Sequence, residues 1–520
     1  MTDSRHIEIE RKYDVDETAT LPDLSDIAPT EPGGVVPLRA EYFDTADGVL
    51  AAHRIVLRRR EGGADEGWHI KVPAALGRLE RHWPLALEGA EGEEPRVPEP
   101  VLDAVRARVR DRPVAVIARL NTRRTLVRML DEQGRRIVEI ADDVVTASDV
   151  ATGIARVWRE WEVELDDDAP ADPDDARVLL DEIETRVLRA GARPAASASK
   201  LATALGRTSL DDAPASSARS QTDQGALTKS SPGSAVVVAA LAALVDDIVA
   251  LDARVRERQP DSMHQLRTRV RRIRSLLTTY SPLFATTVTQ PLRAELRHLG
   301  AVLGEARDAE VMEDRARAIV RDHETVSAAV ADELGGRWHT AGEAAMGRVL
   351  AEMSSARYFR LLDSLDALVA DPAALADDTS SAKDILPSRL SRDARRVRAR
   401  ARTAADDTLD AATRDEALHE TRKAAKRLRY AAEAVSSGPG AVYGGRVLAL
   451  ASAAEAVHDL LGEYRDGRVM QEHLRVAAST SAFPFDYGVL HEVERLSAAL
   501  CLDDYPAALR SLAKAAARLP

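Results

Sequence analysis

The chain carries a single cysteine, Cys501, among 520 residues. Disulfides within the chain and cysteine-ligated zinc clusters are therefore excluded. Aromatic residues make up only 4%, and no stacking platform for nucleic-acid bases is visible. Acidic residues outnumber basic ones, for a net charge of −13 and a pI near 5.5. Any basic cluster is thus a local departure that needs a reason. No apolar run is expected to approach the ~20 residues of a membrane span. The acidic start also lacks a hydrophobic segment of signal-peptide type. With 45% hydrophobic and 30% charged residues, the composition predicts a cytoplasmic globular chain of two or three domains.

Residues 1–206 alternate apolar and polar positions in short runs, as strands do. Strands are expected at Arg54 to Arg60, Gly67 to Val72, Arg78 to Leu85, Thr125 to Met129, Ile137 to Ile140 and Val157 to Leu165, with a helix over 174–190. Residues 207–234 are poor in large apolar side chains and predict a flexible linker. From 235 to 520 the apolar spacing is helical. That region repeats itself. His264, Arg267, Arg271, Arg272 and Arg274 recur as His419, Arg422, Lys426, Arg427 and Arg429. Leu303-Gly304-Glu305-Ala306-Arg307-Asp308 recurs as Leu461-Gly462-Glu463-Tyr464-Arg465-Asp466, and Pro232 is matched with Pro387. A repeat this long predicts a duplicated bundle, not a short-repeat solenoid.

The first strand, His6 to Lys12, holds the most telling pattern. Alternate side chains share a face, so Glu8, Glu10 and Lys12 point one way. Alone, such a face is ordinarily solvated. Here it has company. Arg58 and Arg60 share a face, Lys71 closes Trp68-His69-Ile70-Lys71, and Arg78 pairs with Glu80. Arg119, Arg123 and Arg124 cluster on a later strand. Glu139 and Asp142 follow, then Glu160, Glu162 and Glu164 alternate with Trp161, Val163 and Leu165, and Lys200 lies near the end. Cations suit phosphate oxygens, and arginine can grip them with two N–H groups. Carboxylates suit hard divalent ions. A closed barrel lined by both would hold a metal–triphosphate complex.

These residues resemble the CYTH family, the triphosphate tunnel metalloenzymes. The resemblance spans 1–205 and includes Tyr42-Phe43-Asp44-Thr45, Leu57-Arg58-Arg59-Arg60 and Ser199-Lys200. It implies an α+β domain with an antiparallel eight-stranded β tunnel. It implies that Glu8, Glu10, Asp142, Glu162 and Glu164 hold Mg²⁺ or Mn²⁺. Lys12, Arg58, Arg60, Lys71, Arg124 and Lys200 would grip the triphosphate, with Arg119 or Arg123 as alternatives to Arg124. Glu8, Glu10 and Lys12 are the expected catalytic set. Arg59, Arg81 and Arg128 are left as surface residues. His53, His69 and His82 are assigned to packing or solvent, and Tyr42 and Phe43 to packing. Asp44 is a candidate brace.

On a helix, His264, Arg267, Arg271 and Arg274 form one stripe, and Leu266, Val270, Ile273 and Leu277 a separate apolar one. His419, Arg422, Lys426 and Arg429 repeat the cationic stripe. Like charges so placed repel, and a linear polyanion would compensate them in a salt-dependent way. Arg307 and Arg465 could extend this surface. Arg392, Arg395, Arg396, Arg398, Arg400 and Arg402 make a further dense run. The twice-used histidine and Arg-Asp motifs resemble the CHAD domain, over about 235–515. That resemblance implies two pseudosymmetric four-helix bundles that bind inorganic polyphosphate. His298 and His458 occupy different places in the two copies and receive no role.

The expectation is a metal-dependent triphosphatase with polyphosphate bound by the helical domain. Its partners would be inorganic triphosphate and long-chain polyphosphate. No membrane partner is expected and nucleic acid is disfavoured. Its place would be the cytoplasm, polyphosphate granules included. A polyphosphate-binding protein without turnover is the alternative. An adenylyl cyclase ranks lower, since nothing marks a base-recognition pocket.

Overall fold

The computed structural model describes residues 4–73, 78–85, 96–166, 168–197, 199–209, 226–323, 326–371, 374–376 and 380–520. The chain forms two compact units, Met1–Ser220 and Gln221–Pro520. Most of the expected linker, 210–225, lies outside the described residues.

The first unit is one antiparallel sheet. Its strands are β1 (Ser4–Glu8), β2 (Glu10–Asp14), β3 (Thr30–Thr45), β4 (Val56–Glu61), β5 (Gly67–Pro73), β6 (Arg78–Trp83), β7 (Val114–Leu130), β8 (Arg136–Asp149), β9 (Ala155–Leu165) and β10 (Arg193–Pro194). They pair in the order β1-β6-β5-β4-β3-β7-β8-β9-β2-β10. Only Ile9 separates β1 from β2 in the chain, yet β1 bonds to β6 and β2 to β9. The first strand therefore closes the sheet on itself. Counted as one interrupted strand, β1 and β2 complete an eight-stranded wall, with β10 a two-residue addition on β2.

The longest unforeseen strand is β3. Pro32, Gly33, Gly34 and Pro37 disguise it, because proline lacks a ladder donor and glycine weakens a strand. They are tolerated where they fall. β3 pairs with β7 along its length but with β4 only over Arg39 to Phe43, and a bulge separates Pro32 from Gly34. Both prolines thus sit where one edge of the strand is unpaired.

Short helices cover much of the outside. α1 (Val49–Ala52), α2 (Glu99–Asp103) and α3 (Arg106–Val109) supply Leu50, Val101 and Val109, joined by Val105 from the turn between α2 and α3, against outward-facing Phe43, Leu57, Trp68 and Ile70. Asp44 braces α1, accepting hydrogen bonds from the N–H groups of Leu50 (2.8 Å) and Ala51 (2.9 Å). α4 (Pro173–Arg189) begins with Asp172 accepting from Asp174 N and proline at its first position, a standard helix start. Its Leu180, Ile183 and Val187 cover Val138, Ile140, Trp161 and Val163. α5 (Lys200–Ala204) plugs one end of the barrel, packing Leu201, Ala202 and Ala204 against inward-facing Tyr42, Val56, Leu120, Val145 and Ala147.

The second unit is helical. α6 (Gly233–Arg256), α7 (Ser262–Thr279), α8 (Thr286–Arg321) and α9 (Ala328–Met353) form the first repeat, followed by α10 (Ala356–Ala370). α11 (Ala382–Ala404), α12 (Ala411–Ser436), α13 (Gly445–Ala478) and α14 (Pro484–Ala516) form the second. A bridge joins Pro232 to Ser381 at the two repeat entrances. Pro387 does not share the position of Pro232: it is buried inside α11, while Pro232 caps α6. The expectation of no span-length apolar run also fails. α6 is long and apolar enough, with a mean hydropathy of 2.2. Half of that window is buried inside the protein, as in the core helix of a bundle.

Candidate functional site

Strand register brings the charged residues of the first unit into rows. Arg124 faces Asp143, and Asp143 faces Glu160. Lys12 faces Glu162, and Glu10 faces Glu164. Arg58 faces His69, and Lys71 faces Glu80. These residues, apart from Glu160, line one cavity of about 510 Å³, together with Glu8, Arg60 and Lys200.

The two signs interlock. Arg124 reaches Asp143 Oδ1 with Nε (2.9 Å) and Oδ2 with Nη2 (2.7 Å), and Nη2 also donates to Glu162 Oε2 (2.6 Å). Lys200 Nζ lies 3.0 Å from Asp143 Oδ2, 2.7 Å from Glu160 Oε1 and 2.6 Å from Glu162 Oε1. Lys12 pairs with Glu162 and, at 3.0 Å, with Glu10. Lys71 pairs with Glu8 and, at 3.6 Å, with Glu80. Arg58 Nη2 sits 3.3 Å from Glu80 Oε1, and Arg60 pairs with Asp65.

Burial and neighbours set the protonation states. Burial alone would raise Glu162, but Lys12, Lys200 and Arg124 together hold it well below the usual carboxylate range. Glu164 has no such escort. Burial, reinforced by Glu8 and Glu10, pushes it up to about 7. Burial likewise raises Glu8, against the pull of Lys71. Burial beside Arg58 and Arg124 pushes the Arg60 guanidinium down to about 9. Most charges here satisfy one another, whereas Arg60, Glu8 and Glu164 are shifted toward their neutral forms, as groups are where a charged ligand could complete the balance.

Two residue positions correct the sequence reading. Asp142 faces outward, where Arg159 holds it at 2.8 and 2.7 Å, so it does not line the cavity. Asp143 does, and is fully buried. Arg128 lines the cavity instead of lying on the outer surface. The structure also decides among the three arginines of β7. Arg124 points inward, Arg119 pairs with Glu41 outside at 3.1 Å, and Arg123 is exposed. Three further inward groups were not among the expected metal or phosphate ligands. Glu160 joins Asp143 and Glu162. Glu80 and His69 meet at 2.6 Å, and His69 Nε2 also reaches the Asp65 carbonyl at 2.9 Å. Their strand parity with Glu162 and Lys71 was the available signal.

The oxygens fit a hard divalent ion. Asp143, Glu160 and Glu162 present ligand atoms within 4.8 Å of one another. Glu8 Oε2 is buried without a hydrogen-bond partner. All-oxygen donors of this kind favour Mg²⁺ or Mn²⁺ over softer metals.

In the second unit, α7 packs on α12 and their stripes meet. The charge of Arg267 bears on Arg271, Arg422 and Lys426, and Arg422 bears on Arg271 and Lys426. Burial, then Arg271 and Arg422, pushes Lys426 down to about 6. Burial and Arg267 push Arg271 down to about 10. The repeated motif explains how the stripes are seated. Gly304 and Gly462 leave room for the guanidiniums of Arg267 and Arg422, which a side-chain carbon would approach to 3.5 and 3.4 Å. Arg267 pairs with Asp308 at 2.9 Å, and Asp466 acts on Arg422 in the same way. Arg465 contacts His419, and burial, then the Arg307 charge, lowers His264.

The copies then diverge. Arg429 is neutralised by Glu433 (2.7 Å) and Glu455 (2.6 Å), whereas Arg274 lies beside Arg293 and Arg297. Where the first copy has Gly300 against Arg274, the motif alignment places His458. His458 is buried next to Lys426 and Arg422, with Nδ1 held by Asp459 at 2.8 Å. Arg272 and Arg427 leave the stripes to pair with Glu433 and Asp393.

The CYTH domain family matches residues 6–192, and the CHAD domain family matches residues 239–475. Uncharacterized proteins from two Mycobacterium tuberculosis strains are 38% identical over 98% of this chain and 97% of their own. The chain belongs to the CYTH–CHAD proteins. Among solved structures it is similar to PptA from Streptomyces chartreusis, at 22% identity and a TM-score of 0.44 over 54% of this chain and all of that one. It is also similar to the CHAD domain of Ricinus communis, at 24% identity and a TM-score of 0.44 over 57% of this chain and 95% of that one. CYTH domains are metal-dependent and act on triphosphates, so the acidic triad and the cationic wall lie in a domain of matching chemistry.

Proposed function

We propose that the CYTH tunnel hydrolyses inorganic triphosphate, or a related triphosphate compound, with Mg²⁺ or Mn²⁺ held by carboxylates of the Glu8, Glu10, Asp143, Glu160, Glu162 and Glu164 set. The observation that carries this reading is the meeting of six cations and these carboxylates around one closed-ended cavity. A divalent ion bound there supplies charge neutralisation and polarisation of phosphate oxygens.

The protein's own groups do the rest. Arg58, Arg60, Arg124, Lys12, Lys71 and Lys200 take the phosphate oxygens from opposite walls, fixing the chain in line for displacement. To do so, Lys200, Lys12 and Arg124 exchange carboxylate partners for phosphate ones. α5 closes one end, so the chain enters from the end of β7 and β8 that carries Arg128 and Glu139.

The CHAD domain, in the same reading, binds polyphosphate along the α7 and α12 stripes. Asp308 pairs with Arg267 and Asp466 offsets Arg422, while burial and the neighbouring arginines still push Arg271 and Lys426 down, a balance that a polyanion would reverse. Phosphate release from tripolyphosphate, with and without Mg²⁺ or Mn²⁺, tests the tunnel reading. Metal-dependent turnover that Glu8→Gln lowers at least tenfold is expected. No metal-dependent turnover on any triphosphate would overturn it.

A further inference from the structure

A third cationic surface lies apart from the central stripes. α11 buries Leu390, Ala394, Val397 and Ala401 on one side. Its other side carries Arg392, Arg395, Arg396, Arg398, Arg400 and Arg402, all exposed. Asp393, the one acid of this stretch, is buried and engaged by Thr279 Oγ1 (2.6 Å), Arg427 Nε (3.2 Å) and Arg396 (3.4 Å). Among the described residues, Arg392, Arg395, Arg398, Arg400 and Arg402 form no ion pair. The spacings 392/395, 392/396, 395/398, 396/400 and 398/402 all set like charges on neighbouring turns. Like charges so placed destabilise a helix. In a chain of net charge −13, such a helix face needs a compensating partner.

The face is joined to the central cluster. Arg396 and Arg293 both act on Arg427, and Arg293 and Arg297 act on Arg274. Arg427 follows Lys426 directly on α12. Arg400 acts on Glu420, which is next to His419. Arg427 of α12 and Arg396 of α11 thus meet at the shared Asp393, which joins the helix of the second stripe to the α11 face. From Arg392 to Arg402 the helix extends about 15 Å.

We propose that this face of α11 is a second binding track for long polyphosphate, continuing from the central cluster. It rests on the reading of the stripes as a polyphosphate site and adds chain-length selectivity to it. A short chain would fill the central cluster alone, and a long one would run on along α11. Polyphosphate suits the face better than nucleic acid. No aromatic residue lies on α11 to stack a base, and arginines spread around the whole solvent side fit a dense, featureless polyanion.

The test uses the full chain and its Arg392→Gln/Arg395→Gln/Arg398→Gln/Arg402→Gln variant. Affinities for tripolyphosphate and long-chain polyphosphate are measured over a range of salt. The variant should bind long chains at least tenfold more weakly, with a log–log salt slope smaller by about 3, while tripolyphosphate binding stays unchanged. Its thermal midpoint without ligand should be equal or higher, because repulsion is relieved. Unchanged long-chain affinity and slope would overturn the proposal. So would a variant that loses single-stranded DNA binding but keeps polyphosphate. A stripe variant, Arg267→Gln/Arg271→Gln/Arg422→Gln, separates the two readings. If it binds polyphosphate fully while the α11 variant does not, the stripe reading fails and the α11 track stands alone.

Discussion

Lys200 Nζ lies 2.6 Å from Glu162 Oε1, and the same nitrogen touches Asp143 and Glu160. A lysine at the start of the plug helix thus stands at the centre of the acidic triad. Lys200→Met should leave these buried carboxylates short of a cation and cost the first unit about 3 kcal/mol. Mn²⁺ should restore more stability to the variant than it adds to the wild type, since the vacated place suits a divalent ion. Thermal melts with and without Mn²⁺ read this directly.

Asp142 and Asp143 are neighbours with opposite fates. Asp143→Asn removes a fully buried partner of Arg124 and Lys200 and should cost about 3 kcal/mol. It should also lower phosphate release at least tenfold. Asp142→Asn weakens the outer pair with Arg159. It should cost about 1 kcal/mol and leave turnover within twofold. Equal effects of the two substitutions on turnover would count against the inward assignment of Asp143.

Along β7 the same contrast applies to cations. Arg124→Gln should raise KM for tripolyphosphate and lower kcat, because Arg124 alone of the three arginines faces the cavity. Arg123→Gln and Arg119→Gln should leave both within twofold. Steady-state kinetics of the three variants decide the matter.

These pairs also show what the sequence could and could not reveal. Glu8, Lys71 and Glu162 were legible because apolar residues flank each of them on its strand, and Glu10 and Arg58 through the Glu8-Ile9-Glu10-Arg11-Lys12 and Leu57-Arg58-Arg59-Arg60 motifs. Asp142 and Asp143 were not. α4 covers the outside of β8 and β9, so Val138 and Ile140 are buried on one face while Ala141 and Val145 are buried on the other. Apolar alternation then carries no information about which face is inside. β3 was hidden by its prolines and glycines, whose tolerance depends on which edges are paired. α6 was missed as a span-length apolar stretch because Asp246 and Asp247 interrupt it without lowering its mean hydropathy below the usual range. The helical repeats were legible because both copies keep the same motifs, which the fold sets side by side: Gly304 lies against Arg267 and Gly462 against Arg422.

Lys426 links the second unit to pH. Its folded value, pushed down to about 6 by burial and then by Arg271 and Arg422, lies below the ordinary 10.5. Between these values the unfolded chain holds a proton that the folded chain lacks. Stability should therefore rise with pH across that window and lose this dependence below it. Lys426→Met should flatten the rise and stabilise the ligand-free protein at pH 7 by about 1 kcal/mol or more. Polyphosphate reverses the balance, since its charge favours the ammonium form. Binding at pH 7 should take up protons, seen by calorimetry in buffers of different ionisation enthalpy. Lys426→Met should remove most of that uptake.

The most direct measurement is anomalous diffraction from crystals of the full chain grown with Mn²⁺ and a non-hydrolysable imidotriphosphate. The account predicts Mn²⁺ density against inward carboxylates of the tunnel, with phosphate oxygens in contact with Arg58, Arg124 and Lys71. Occupied Mn²⁺ and analogue sites confined to the outer surface, with the tunnel cations still paired to their carboxylates, would contradict it.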